Sequence, residues 1–555
     1  MNDPIHPQSD AAPQPAAFPD YTAPAGARRA LRDAAQFDKT DAVAALLLLA
    51  AGFVFVQFML WHPTGLGDAA FFLLTVGVCL CYFRKRGVAM NAYQRALLAV
   101  YCVFCAVFLL TADSFVRTLD AIFLILLGAY VVFAACAGRG DAEGGFGLDM
   151  ANALFALPFS GFLLSPRALL RGGKSKKRTL LYVALGLLAA VPVTFAAASL
   201  LRAADNGFDA MLGRLLDRID LDSAAELIAK LLLTAAIGFY LFGLLYVNAS
   251  GAEKEQLSPA AYAQRRERLH IAPPAFVYAA ATPLLLLYAA FIALQLDYFF
   301  SAFAGRLPAG FSYAEYARRG FFELFAVALI NLFVILCMGV FTCRQADRRP
   351  AALTVYTVAL SACTLLLLAT AFSKMALYIR AYGLTRLRVY VAWFMALLAL
   401  LLVAVIAKQF APRFRAVTCM GAVFIVLFGA LCFSNVDGVI ARYNIRQYVS
   451  GARQTLDVEE LMRLSDDAWI PMLENYDAVA AAYGSYDGDL YFTDDAGNMF
   501  GYNEADAVEG APRTFDEVCR DKLAYYRNNP EKTFSLTGLR VKAMLERLRF
   551  GEKAA

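Results

Sequence analysis

Eleven long apolar stretches, almost free of charge, run from Ala42–Trp61 to Ala416–Phe433 and leave little choice of solvent for this chain. A bilayer core of about 30 Å takes roughly 20 apolar residues per helix, and inside it every backbone polar group must be satisfied within its own segment. Leu119–Ala137, Thr179–Leu201, Leu227–Val247, Ala275–Leu296, Phe321–Cys343, Ala351–Phe372 and Val389–Ala407 meet that length. Ala69–Phe83 and Ala96–Ala112 are shorter but are bounded by charged and turn-forming residues, as hairpins of spans require. With 60% hydrophobic and 17% charged residues, the chain carries more apolar surface than a soluble core hides. The expected fold is an all-α polytopic membrane bundle of about 11 transmembrane helices with a small α+β C-terminal soluble domain. Residues 1–40, rich in Pro and Ala, read as a disordered leader, 41–434 as the membrane domain and 435–555 as the soluble domain.

The formal net charge of +5 hides two opposite parts. Residues 445–555 hold 13 Lys+Arg against 20 Asp+Glu, so the tail is acidic and the membrane part strongly basic. That basic excess suits anionic headgroups, and the neighbouring spans favour a cytoplasmic flank over nucleic acid binding for clusters such as Lys174–Arg178, so no nucleic acid partner is expected. Alternating from an inside leader, the inside segments hold more than twice the basic residues of the outside loops. The N-terminus is therefore expected inside and the tail outside. Ala151–Ser165, interrupted by Pro158, is too short for a span and reads as an interfacial or re-entrant helix. Arg202–Glu226 places Phe208, Met211, Leu212, Leu215, Leu216 and Ile219 on one helical stripe, expected along the membrane surface.

In the tail, Asp457 and Ser465 are expected N-caps for VEELMRL and DDAWIPMLENY. Leu490–Thr493 and Asn498–Tyr502 flank a hairpin signal, and Thr514–Asn528 and Leu536–Phe550 read as helices.

Two constellations could carry chemistry on the outside face. In Ser312–Glu323, Glu315, Arg319 and Glu323 recur every four residues along one stripe, with Tyr316 in the headgroup layer and Arg318 pointing elsewhere. A guanidinium there can clamp a phosphate or carboxylate; the alternative is a structural ion network. In Ser373–Arg388, Lys374, Arg380, Arg386 and Arg388 make an outside loop conspicuously basic, with Gly383 ending one helix and Thr385 capping the next. An anionic ligand would explain these cations, and so would snorkelling or pairing with the acidic tail. The expected ligand-binding set is Tyr316, Arg318, Arg319, Glu323, Lys374, Arg380, Arg386 and Arg388. The tail carboxylates Asp487, Asp489, Asp494, Asp495, Glu504 and Asp506 lack the pattern of a calcium loop.

Other chemistry is poorly provided for. Charges within spans are few, namely Asp120, Lys230 and Glu323, and Asn331 is the main polar residue deep in a span. His6, His62 and His270 lie far apart, Cys102 and Cys105 read as packing residues despite their spacing, and no cofactor or metal is expected. No phosphate-binding glycine–lysine loop, GxSxG or HExxH occurs.

FSYAEYARRGFFEL (Phe311–Leu324), YIRAYGLTRLRVY (Tyr378–Tyr390), NVDGVIARYNI (Asn435–Ile445) and LDVEELMRLSDDAWIPML (Leu456–Leu473) resemble an uncharacterised family of bacterial multi-pass membrane proteins carrying only a domain-of-unknown-function label. The resemblance implies a bacterial inner membrane and brings no activity or catalytic residue. The leading expectation is a protein that binds or handles an anionic lipid or lipid-linked envelope precursor at the outer leaflet, with membrane lipids as partners and catalysis left open. The alternatives are an uncoupled small-molecule permease with its path near Asn331, Pro283 and Pro192, and a membrane sensor or scaffold with the tail as receptor.

Overall fold

The computed structural model describes residues 37–61, 65–170, 221–250, 270–303, 321–343, 351–484, 491–493, 499–501, 514–529 and 535–548, with scattered positions in 186–205 and 264–269. Among them, ten helices are long and apolar enough to cross a membrane, so this is an integral multi-pass membrane protein built as an all-α bundle. Each expected span but one falls on such a helix; Thr179–Leu201 lies almost entirely outside the described residues, as does the stripe of Arg202–Glu226.

The membrane helices are α1 (Lys39–Phe55, running on as a π-helical turn to Trp61), α2 (Gly65–Arg86), α3 (Ala92–Phe104), α4 (Ser114–Ala137), α5 (Leu221–Ser250), α6 (Pro274–Phe303), α7 (Phe321–Phe341), α8 (Ala351–Tyr382), α9 (Arg386–Phe410) and α10 (Ala416–Phe433). Their outward faces remain apolar and uncovered, as at Leu46, Phe333 and Val426, which only lipid can solvate. Local chemistry sets the ends. Asp38 and Asp41 form a capping box at the start of α1, and Asn91 and Gln94 form one at the start of α3. Gln94 also donates to the carbonyls of Ala134 (2.8 Å) and Arg139 (2.9 Å), closing the C-terminus of α4, which stops at left-handed Gly138. The shorter span expected at Ala96–Ala112 is interrupted: α3 ends at Phe104, and Val107–Leu110 resumes as a separate turn.

Helices α1 and α5 approach through glycines. A Cβ at Gly52 would lie 2.7 Å from the carbonyl of Thr234, and one at Gly238 would lie 2.8 Å from Cα of Leu49. The segment expected as one interfacial or re-entrant helix is instead broken into Phe146–Ala151, a π-helical turn, Leu157–Gly161 and Leu164–Leu169. Gly161 packs backbone to backbone on Gly243 of α5, and the π-helical turn Asn152–Ala156 falls just before Pro158, which offers no amide to the helix ladder. A separate cluster joins α6, α7, α8 and α9. At its centre Asn331 accepts from Tyr288 (2.6 Å) and donates to Thr364 (2.9 Å), tying three helices together.

The tail follows α10 almost directly as α11 (Val436–Val449), α12 (Val458–Met462), α13 (Asp466–Glu474), α14 (Tyr476–Tyr483), α15 (Phe515–Asn528) and α16 (Leu536–Arg547). Asp457 caps α12 through the amide of Glu460 at 2.9 Å, and Thr514 caps α15 in a capping box. Ser465 starts α13 without a side-chain cap bond. A short antiparallel pair, β1 (Tyr491–Thr493) with β2 (Met499–Gly501), falls where the sequence reads a hairpin. The described core of the tail is nevertheless helical, built on Trp469, Val518, Tyr526 and Val541, so the α+β expectation is replaced by an all-α body. That core is continuous with Phe72, Phe104, Leu124 and Phe428 of the bundle. The tail sits on the end at which α4 begins, opposite the end at which α1 begins.

Candidate functional site at the junction of bundle and tail

The junction is built from four short stretches: the α3–α4 loop, the α8–α9 loop, the first turn of α11 and the first turn of α13. Gly383 ends α8 in the left-handed conformation that only glycine adopts without strain (φ +79°). The next residue is clamped by Asn444 of α11, which accepts from the amide of Leu384 and donates to its carbonyl, both at 2.8 Å. Thr385 is extended, as an N-cap requires, but makes no side-chain cap bond. This fixes where α9 starts and aims its first side chain, Arg386, at the tail.

Arg386 grips Asp437 with two nitrogens: Nε donates to Oδ1 at 2.8 Å and Nη2 donates to Oδ2. Asp437 is fully buried and its Oδ2 also accepts from the amide of Ser465 (2.8 Å), so one carboxylate joins α9, α11 and α13. One turn along α9, Tyr390 donates to Oδ2 of Asp113 at 2.6 Å, while Oδ1 of Asp113 accepts from the amide of Phe115 and caps α4. Asp467 receives Thr537 (2.7 Å), Thr111 (3.2 Å) and the amide of Ala112 (3.0 Å), reaching from α13 to α16 and the α3–α4 loop. Asp466 pairs with Lys522 at 2.7 Å, whose ammonium lies against the rings of Trp469 and Tyr526.

Two of these buried carboxylates, Asp113 and Asp437, thus share one guanidinium. Burial raises the Asp113 carboxyl above its usual range, and the nearby Asp437 charge adds to this while Arg386 opposes it. Asp467 is also raised, chiefly by burial, against the pull of the hydrogen bonds from Thr537, Ala112 and Thr111. Each of the six carboxylate oxygens of Asp113, Asp437 and Asp467 already has a protein donor. No group of metal-ligating side chains occurs among the described residues. A cluster so fully satisfied acts as a latch between bundle and tail.

Among the described residues, those expected to bind a ligand do not gather in one place. Tyr316, Arg318 and Arg319 lie outside the described residues. Glu323 is exposed in the first turn of α7 and is felt electrostatically by Lys374 of α8. Arg388 donates to the carbonyls of Tyr382 (3.1 Å) and Gly383, and its guanidinium lies 4.2 Å from the centre of the Tyr378 ring, so it covers the end of α8. Arg386 belongs to the latch. Arg380 is exposed and makes no ion pair among the described residues.

Sequence reasoning did not single out Asp113, Tyr390, Asn444 or Asp467 as site residues, and Asp437 entered it only within the NVDGVIARYNI stretch of the family resemblance. Deeper in α4, Asp120 is fully buried with neither carboxylate oxygen hydrogen-bonded among the described residues.

A family model for a domain of unknown function (DUF4153) matches residues 97–475, about two thirds of the chain. The chain belongs to this family. The DUF4153 stretch begins within α3 and ends at the close of α13, so it contains Asp113, Arg386, Tyr390, Asp437 and Asp467. Both halves of the latch are therefore part of the family domain, while α1, α2, α15 and α16 lie outside it. No curated protein matches this chain, and no solved structure does.

Proposed function

We propose that this protein binds an anionic lipid or lipid-linked envelope precursor in the headgroup layer on the face that carries its tail. In this reading it resides in a bacterial inner membrane with its N-terminus inside and the tail outside. The observation that supports the reading is α8. Its 32 residues amount to about 48 Å of helix, well beyond a hydrocarbon core of about 30 Å. Its last turns therefore extend toward the headgroups beside the tail and carry exposed Arg380 between Tyr378 and Tyr382. Arg386 and Arg388 do not contact the ligand in this reading; they hold the loop that presents Arg380. Arg318, Arg319 and Tyr316, which lie outside the described residues, are expected to complete the set.

The test is local capture. A photo-crosslinking residue placed at Tyr382 in intact membranes is expected to capture phosphate-bearing lipid, with capture reduced several-fold by Arg380→Gln combined with Lys374→Gln. Equal capture of anionic and zwitterionic lipids, insensitive to those substitutions, would falsify the proposal.

The permease alternative gains no support from Asn331, whose oxygen and nitrogen are both used in binding Tyr288 and Thr364. The scaffold alternative is favoured by one feature, the continuity of the bundle and tail cores, which would transmit a contact on the tail to the membrane helices.

A further inference from the structure

At the end of the bundle away from the tail, α1 and α2 run side by side with an apolar groove of about 460 Å³ between them. Val43, Leu47, Leu73 and Gly77 line it. Val43, Leu47 and Leu73 are each two-fifths or more exposed, so the groove opens toward lipid. At Gly77 it is unfilled, because a Cβ added there would meet nothing within 4 Å. The volume lies in the range of sites that hold small ligands.

The mouth of the groove is basic. Lys39 stands in the first turn of α1 and Lys85 in the last turn of α2, and both line the cavity. Four cations, Lys39, Arg84, Lys85 and Arg86, meet two carboxylates, Asp38 and Asp41. One of those cations absorbs both carboxylates. Arg86 binds Asp41, whose Oδ1 also accepts from Tyr82 at 2.7 Å, and reaches Asp38 at 3.4 Å. Neither Lys39 nor Lys85 has an ion pair among the described residues, and both are exposed. Two flexible ammonium groups above an apolar slot between membrane helices match a headgroup phosphate above an acyl chain, the arrangement of basic interhelical pockets that hold anionic lipids.

We infer that the α1–α2 groove is a binding site for one anionic phospholipid of the leaflet at this end, with its phosphate between Lys39 and Lys85 and an acyl chain along Val43, Leu47, Leu73 and Gly77. The site lies outside the DUF4153 stretch and at the opposite end from Arg380, so it is independent of the function proposed above.

The experiment places a photo-crosslinking residue at Leu47 in the full chain, reconstituted in vesicles of equimolar phosphatidylglycerol and phosphatidylcholine. Adducts are expected to favour phosphatidylglycerol about thirtyfold, since two surface lysines at about 1 kcal/mol each contribute about 2 kcal/mol toward anionic lipid. Lys39→Gln with Lys85→Gln should bring the ratio close to one, and the double Arg variant should restore it. Gly77→Phe, which fills the groove where no protein atom stands in the way, should abolish both adducts without lowering thermal stability. Excess inorganic phosphate should leave the adducts unchanged, because the acyl chain supplies part of the binding. A ratio near one in the parent, a ratio that survives the Gln substitutions, adducts that survive Gly77→Phe, or displacement by free phosphate would each overturn the inference.

Discussion

At the scale of single residues, the Arg386–Asp437 pair gives the junction its rigidity. Asp437 is wholly buried, whereas the Arg386 side chain remains one-third exposed. Removing the guanidinium leaves a buried carboxylate with only the Ser465 amide, and breaking a buried pair in this way costs about 3–5 kcal/mol. Arg386→Met should therefore destabilise the protein by about 3 kcal/mol, at the low end because the arginine is partly solvated. Arg386→Met with Asp437→Leu should recover most of that loss, since the uncompensated charge is gone. Unfolding by sodium dodecyl sulfate in mixed micelles measures both, and a double variant no more stable than the single one would show that the pair acts otherwise. Arg386 stood out in the sequence as a cation needing an anion, and that much was correct. Its partner lies 51 residues away on another helix, beyond the reach of any local spacing rule. Asp113 was equally hidden, because an aspartate in a short loop before a span looks the same whether it meets water or Tyr390.

At the scale of elements, length and hydropathy located the ten described membrane helices, because a helix in lipid must satisfy its own backbone and shows this as an uninterrupted apolar run. The Asp457 cap was legible because its side chain bonds within three residues, whereas Ser465, expected as a cap by the same rule, starts α13 without such a bond. Breaks within apolar runs were less legible: Pro158 marked an irregularity in Ala151–Ser165, but the interruption after Phe104 and the turn after Gly161, where Gly161 meets Gly243, depend on neighbours. Packing of α1 on α5 is also set by glycine. At Gly238 an added Cβ would press on backbone atoms of Leu48 and Leu49, which cannot rotate aside, so Gly238→Val must separate the helices. A loss of about 1–3 kcal/mol is expected from this overpacking. Gly421→Val in α10, where a Cβ meets nothing within 4 Å, should leave stability nearly unchanged. Equal effects at the two positions in a thermal unfolding series would refute the close approach.

At the scale of the whole molecule, bundle and tail share one core, so they should lose structure together. Cys519 reports on this. It is fully buried in the tail, and burial, aided by the charge of Asp516, pushes its thiol up to about 12, leaving little thiolate to react at neutral pH. Cys519 is the one cysteine of residues 435–555, and a hydrophilic segment tells nothing of which residue its helices enclose. A membrane-impermeant maleimide should therefore label Cys519 slowly in the native protein, with Cys519→Ser as the control for the other cysteines. Under increasing denaturant, labelling should rise in step with the loss of helical circular dichroism from the bundle, because exposing α15 means pulling Trp469 and Val541 out of a core that continues into Phe72 and Phe428. Arg386→Met should shift both transitions together to lower denaturant. If labelling instead precedes the loss of helix by a wide margin, the tail opens as an independent unit, and a contact made on it would not be passed to the membrane helices through the latch.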